Sequence, residues 1–286
     1  MKKMENKKIS ATLIIAFYNN LRWLKMILAA LERQSCHDFE VIVADDGSRD
    51  EVVAEVGKLI EQSPLTIRHI WHEDDGWRKN IMLNKAVKSA VADYLIFIDG
   101  DCIPHHAFIA EHLMHRTQGR IVAGRRVELP KKESEVITEA DVRKRFFEYR
   151  MTFKAIVASI RREVKYAELG IHLRGKMYRM IRRRLRHFSV IGCNFSLYKS
   201  DLEKINGFDE RYLQPMIGED TDVEWRLARI GIYPDVIKNH CIVYHKNHAR
   251  LIPSDDSGRK LFEETNRAER YWTDFGLSQK DTPSQS

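Results

Sequence analysis

The chain has 286 residues, of which 43% are hydrophobic and 31% charged, proportions that exclude a disordered chain or one built from membrane spans. No apolar run approaches the ~18 residues a spanning helix needs, and the lysine-bearing N-terminus lacks the apolar segment of a secretory signal, so a cytoplasmic protein is expected. Cys36, Cys102, Cys193 and Cys241 are far apart and form no metal-ligand spacing, which predicts reduced, mostly buried thiols.

The net charge of +7 is unevenly spread. Residues 143–187 hold fifteen Lys or Arg against three acids, Glu148, Glu163 and Glu168, so the rest of the chain is mildly acidic. An anionic partner is expected for that segment alone.

Residues 11–16 read as a first strand, followed by the loop Phe17-Tyr18-Asn19-Asn20 and a helix with Leu24, Ile27, Leu28 and Leu31 on its core face. Residues 39–44 form the next strand, which ends at Asp45-Asp46-Gly47-Ser48. A helix over 50–62 and a third strand over 65–71 follow, with Pro64 between them. After Gly76-Trp77-Arg78-Lys79 comes a helix with Leu83, Ala86, Val87 and Ala90 inward. It leads to the uncharged run 94–98, which stops at Asp99-Gly100-Asp101. Four strand–helix alternations predict a mostly parallel α/β sheet with helices on both faces.

Residues 121–127 read as one further strand and 131–139 as a charged linker. A long basic helical stretch follows, in which Phe146, Phe147, Met151, Phe153, Ile156, Val157 and Ile160 are apolar. Sheet resumes over 189–198, a helix covers 221–230, and a last strand over 236–244 runs into His245. The expected organisation is a nucleotide-binding half over 9–128, a basic helical insertion over 129–188, an acceptor-side half over 189–250, and a helix with a polar tail over 251–286.

Three acidic elements fall at strand ends or at a helix start: Asp45-Asp46, Asp99-Gly100-Asp101 and Glu219-Asp220. Open α/β sheets bind ligands at the carboxyl ends of their strands, so one rim would gather all three. Paired carboxylates there suit a divalent cation that shares phosphate oxygens. Asp45 or Asp46 can accept from a base N–H, and a carboxylate at the start of the helix over 221–230 can take a proton from a hydroxyl. Each piece also has an ordinary structural reading, as an Asp-Gly turn or a helix cap.

In order and interval these pieces resemble the inverting, metal-dependent glycosyltransferases of family 2, which have the GT-A fold. The resemblance covers about 10–126 and 189–248 and rests on Tyr18-Asn19, Asp45-Asp46-Gly47-Ser48, Asp99-Gly100-Asp101, Gly192-Cys193-Asn194, Asn206-Gly207-Phe208-Asp209-Glu210 and Gly218-Glu219-Asp220. It implies a nucleotide-sugar donor, usually UDP-linked. Asp45 or Asp46 would contact the uracil, and Asp99 and Asp101 would hold the ribose and a Mn2+ or Mg2+. Asp220, with Glu219 beside it, would be the catalytic base. His245, which opens the stretch His245-Lys246-Asn247-His248 after the last strand, would complete the metal site or contact phosphate, and imidazole beside carboxylates favours Mn2+.

Two departures stand out: Ala16-Phe17 replaces the usual proline before Tyr18, and Gly76-Trp77-Arg78-Lys79-Asn80 replaces a small-residue run leading to Arg-Asn. Phe17 or Tyr18 would stack on the base, and Arg78 or Lys79 would contact the diphosphate.

The acceptor is expected to be a glycan or lipid-linked hydroxyl in bacterial surface polysaccharide synthesis. The basic segment would lie on anionic lipid at the inner face of the membrane, where a solvated helical face or a subunit contact is the alternative; no nucleic acid is expected. Two rivals remain. A sugar-nucleotide pyrophosphorylase would need a glycine-rich triphosphate loop where Phe17-Tyr18-Asn19-Asn20 stands. A non-catalytic nucleotide-sugar-binding or scaffold protein would not need both Asp101 and Asp220.

Overall fold

The apolar runs fold as seven strands of one sheet. These are β1 (Ala11–Phe17), β2 (Phe39–Asp45), β3 (Ile67–Trp71), β4 (Tyr94–Asp99), β6 (Arg120–Ala123), β8 (Asn194–Tyr198) and β9 (Tyr233–Val236), in the order β3-β2-β1-β4-β8-β6-β9. A second sheet has the order β5-β10-β7, from β5 (Cys102–Pro104), β7 (Arg125–Glu128) and β10 (Ile242–His245). The computed structural model describes residues 9–173, 175, 178, 189–215, 218, 220–249 and 252–278.

β1 pairs in parallel with β2 and β4, and β8 enters antiparallel between β4 and β6. Alternate residues face opposite layers. Leu13, Ile15, Val41 and Val43 pack with Trp23, Leu24 and Ile27 of helix α1 (Leu21–Leu31). Ile14, Ile42, Leu95 and Phe97 pack with Met82, Leu83 and Ala86 of the helix Lys79–Ser89. In the intervening helix Asp50–Gln62 only Val56 is fully buried, because that helix lies over the edge of the sheet beside β3. The register sets Phe17 opposite Asp45, Asp45 opposite Trp71, and Ala16 opposite Asp99, so the acidic strand ends lie level along one rim.

Three sequence expectations are corrected. The run 121–127 is two strands in different sheets, β6 and β7, separated at Gly124. A Cβ at Gly124 would sit 2.3 Å from the Asn194 side chain, so only glycine lets the chain cross there. The run 236–244 likewise splits into β9 and β10, with Asn239 and Cys241 in the left-handed region at the turn between them. The expected linker 131–139 is helical instead, as Lys131–Val136 and then Glu139–Val142, the latter held by a reciprocal capping box between Thr138 and Asp141.

The helix Phe147–Ile160 buries Phe147, Met151, Ala155 and Ala158 against the small sheet. Its other face exposes Tyr149, Phe153 and Ile160, continued by Phe146 before it and Tyr166 beyond it. The C-terminal part of the basic segment, 179–188, lies outside the described residues, as does Glu219. Among the described residues no helix is long and apolar enough to cross a membrane.

Candidate active site

The two carboxylates at the end of β2 have different fates. Asp45 is fully buried: its oxygens accept from the Ser48 backbone N–H at 2.9 Å and pair with His69 Nε2 at 2.8 Å. Its side chain faces the interior and shapes the turn, whereas Asp46 is partly exposed. Asp46 pairs with His72 Nε2 at 3.0 Å and accepts from the Arg78 backbone N–H at 3.0 Å. Burial raises its pKa, against the pull of those two donors. Tyr18, half exposed, donates to Asp74 at 2.9 Å and ties the same loop to the end of β1. The Arg78 guanidinium itself turns outward to Asp75.

Asp99 and Asp101 also diverge. Asp99 bonds Lys79 Nζ at 2.8 Å, which puts a cation from the start of a helix onto the rim. Asp101 faces two imidazoles, His248 Nε2 at 3.0 Å and His245 Nε2 at 3.5 Å. One ligand atom from each of the three residues lies within 4.8 Å of the others.

The ring orientations are those a metal needs. His245 Nδ1 bonds Glu128 at 3.1 Å and His248 Nδ1 donates to the Ala249 carbonyl at 2.6 Å. With their Nδ1 protons engaged, both rings turn the Nε2 atoms toward Asp101, the usual arrangement of metal-ligating histidines. Burial opposes ionisation of Asp101, but the hydrogen bond from His248 and the charge of both imidazoles outweigh it and hold the pKa low. His245 moves upward, since Glu128 and Asp101 more than offset its burial; His248 moves upward chiefly through Asp101. A carboxylate and two imidazoles fit Mn2+ better than Mg2+.

Asp220 opens the helix Asp220–Arg229. Its Oδ1 accepts from the Thr221 backbone N–H at 2.7 Å and its Oδ2 from the Gly192 backbone N–H at 2.8 Å. Gly192 stands two residues before Asn194, which pairs with Ile98 one residue from Asp99. The strand ends of β1, β2 and β4 and the start of this helix therefore share one rim. Sequence reasoning missed Glu128 and His72, whose roles depend on pairings that no local pattern records.

The family model "Glycosyl transferase family 2" matches residues 12–203. Among curated proteins, a chondroitin synthase of Pasteurella multocida is 31% identical over 112 residues, 39% of this chain and 11% of that protein. The uncharacterized glycosyltransferase YfnE of Bacillus subtilis is 33% identical over 116 residues, 40% of this chain and 29% of that protein. Each match thus spans under a third of the relative. Among solved structures, the mannosyltransferase PcManGT of Pyrobaculum calidifontis, in complex with GDP-Man and Mn2+, superposes with a TM-score of 0.55 over 92% of this chain and 62% of that one, at 17% identity. TarS of S. aureus gives a TM-score of 0.51 over 83% of this chain and 37% of that one, at 16% identity. The fold is that of GT-A enzymes, and with more than half its length matched by the family model the chain is a member of glycosyl transferase family 2.

Proposed function

We propose that the protein is a metal-dependent, inverting glycosyltransferase that moves a sugar from a nucleoside diphosphate, expected to be UDP, to a hydroxyl of a glycan or lipid-linked acceptor. The observation that carries this reading is the set Asp101, His245 and His248 on the rim that also holds Asp220. The Mn2+ in the mannosyltransferase of the same fold supports the metal. The chondroitin synthase among the relatives supports a polysaccharide product.

In this reading Asp46 and Tyr18 bind the base, while Lys79 and Asp99, with Arg78 nearby, border the ribose and diphosphate. Asp101, His245 and His248 hold Mn2+, which when bound offsets the negative charge of the departing diphosphate. Asp220 accepts the proton of the acceptor hydroxyl as its oxygen bonds to the anomeric carbon and the bond to the diphosphate breaks. The Gly192 and Thr221 N–H groups fix the Asp220 carboxylate for that transfer, and one displacement inverts the anomeric centre.

The exposed stripe Phe146, Tyr149, Phe153 and Ile160 lies on one face of its helix, and Arg145, Arg161, Arg162 and Lys165 around it are exposed. That composition suits the interface of an anionic membrane, where an acceptor on a lipid carrier would be presented. Co-sedimentation with anionic vesicles, but not neutral ones, is expected, and Phe153→Glu should weaken it. Equal binding to both kinds of vesicle would remove the membrane part of the reading.

The catalytic part is tested by nucleotide-dependent thermal stabilisation. UDP with Mn2+ should raise the unfolding temperature, more than GDP does, and the gain should vanish with chelator. No response to any nucleoside diphosphate would overturn the assignment.

A further inference from the structure

Away from the rim, at the opposite end of the paired strands β5 and β10, the fold gathers a second cluster of histidines. His105 and His106 follow β5, Glu111 lies in the helix Phe108–His115, His240 precedes β10, and His172 comes from the basic insertion. His105, Glu111 and His240 are at most 5% exposed. The ring centroids of His105 and His172 are 4.5 Å apart, and those of His172 and His240 are 5.4 Å apart. Glu111 Oε1 bonds His172 Nε2, while Oε2 accepts from the Cys241 backbone N–H at 2.6 Å. One atom each from His105, Glu111 and His172 lies within 4.8 Å of the others.

Burying one carboxylate among several imidazoles is costly unless charge and hydrogen bonds are matched. Two imidazole nitrogens and one carboxylate oxygen are a known tetrahedral ligand set for Zn2+, with the fourth position left to water or a further ligand. The surroundings resemble an outer ligand shell. The Cys241 N–H fixes the Glu111 carboxylate, and His240, whose Nε2 donates to the Leu173 carbonyl at 2.6 Å, bonds His115 at 3.0 Å behind it. His105 Nδ1 accepts from the Ala107 backbone N–H at 3.2 Å, and a metal on either nitrogen of that ring would give up this long contact.

We infer that His105, Glu111 and His172 form a second metal site, specific for Zn2+ or a cation of like preference, separate from the Asp101 site. Two of its ligands belong to the sheet-bearing core and one to the insertion. Occupancy therefore staples the insertion to the core, and a ligand that binds only the folded chain stabilises it by mass action.

The test uses the tag-free full chain carrying Asp101→Ala and His248→Ala, which disables the rim site. After stripping with chelator and reloading, it should retain one equivalent of Zn2+ through gel filtration. With Co2+ it should show the intense visible bands of tetrahedral coordination, and its unfolding temperature should rise on loading. Adding His172→Ala, a change in a partly exposed loop, should abolish the retained metal and the Co2+ bands while the circular dichroism stays native. Glu111→Gln gives a second variant of near-equal volume, with the same loss expected. Retention of no metal by the Asp101→Ala, His248→Ala protein would overturn the site, as would an equivalent indifferent to both His172→Ala and Glu111→Gln. Neither result bears on sugar transfer, which the nucleotide experiment decides separately.

Discussion

Asp220 accepts the Gly192 backbone N–H at 2.8 Å, a bond that joins the start of a helix to the turn leading into β8, which lies against β4. It explains how an acid late in the chain reaches strand ends formed a hundred residues earlier. If Asp220 is the base, Asp220→Asn keeps the shape and removes the proton acceptor. Transfer should fall at least ~100-fold, while the affinity for the nucleoside diphosphate with Mn2+ should change by no more than about twofold. Loss of both together would instead mean that Asp220 supports donor binding.

Glu128 should tune the rim metal from behind. Its bond to His245 Nδ1 fixes the ring that points at Asp101. Glu128→Gln is expected to raise the Mn2+ concentration needed for half-maximal nucleotide binding about 10- to 100-fold, and His248→Ala, which deletes a ligand, to raise it further. An unchanged Mn2+ titration in Glu128→Gln would leave Glu128 as a partner of Arg126 alone, with which it forms an ion pair at 2.9 Å.

Much of this was legible beforehand. Mostly apolar runs ending in acids gave the parallel strands, because a strand covered on both faces carries few charges; Glu40 is the exception within β2, buried there with Thr12 and Arg68 as partners. Adjacent Asp45 and Asp46 could not be told apart, since which one faces inward depends on the pleat and on the turn that follows. The run 121–127 has no proline or Asn-Gly-type turn where it passes between sheets at Gly124, so its composition alone reads as one strand. Glu128 was invisible for a different reason: it meets His245 only because β7 pairs with β10 in that register. The histidines of the second cluster lie in three separate segments and Glu111 in a fourth, and folding alone makes them neighbours.

Behind Asp220 the same helix carries a buried ion pair. The Arg226 guanidinium, 1% exposed, bonds Asp222 at 2.6 Å and donates to the carbonyls of Ile205 and Gly207 at 2.7 and 2.8 Å. Tyr212 donates to Asp222 at 3.1 Å, and its ring packs where a Cβ on Gly218 would lie, 2.5 Å away. Arg226→Met strands the Asp222 carboxylate in the interior. Removal of one partner of a buried pair costs about 3–5 kcal/mol, to be read from the denaturant midpoint. Replacing both, as Asp222→Leu with Arg226→Met, should restore part of that loss; a double variant no better than the single one would count against the pair as the source.

His112 supplies the pH dependence. It is fully buried, its Nδ1 accepting from Ser196 at 2.7 Å and its Nε2 donating to the Asn194 side-chain carbonyl at 3.2 Å. Ser196 in turn pairs with the Tyr94 hydroxyl at 2.6 Å, so the network holds a neutral imidazole. Burial pushes its pKa down to about 3, from 6.5 in the unfolded chain. Below the unfolded value the denatured state gains a proton that the native state refuses, so stability falls with falling pH until the native pKa is reached; above the unfolded value His112 contributes no slope. Between about pH 7.5 and pH 5 this amounts to about 2 kcal/mol. His112→Gln should therefore be less stable than the native chain at neutral pH, yet lose about 2 kcal/mol less on acidification over that interval. Parallel pH profiles for the two proteins would show that His112 is not the group responsible.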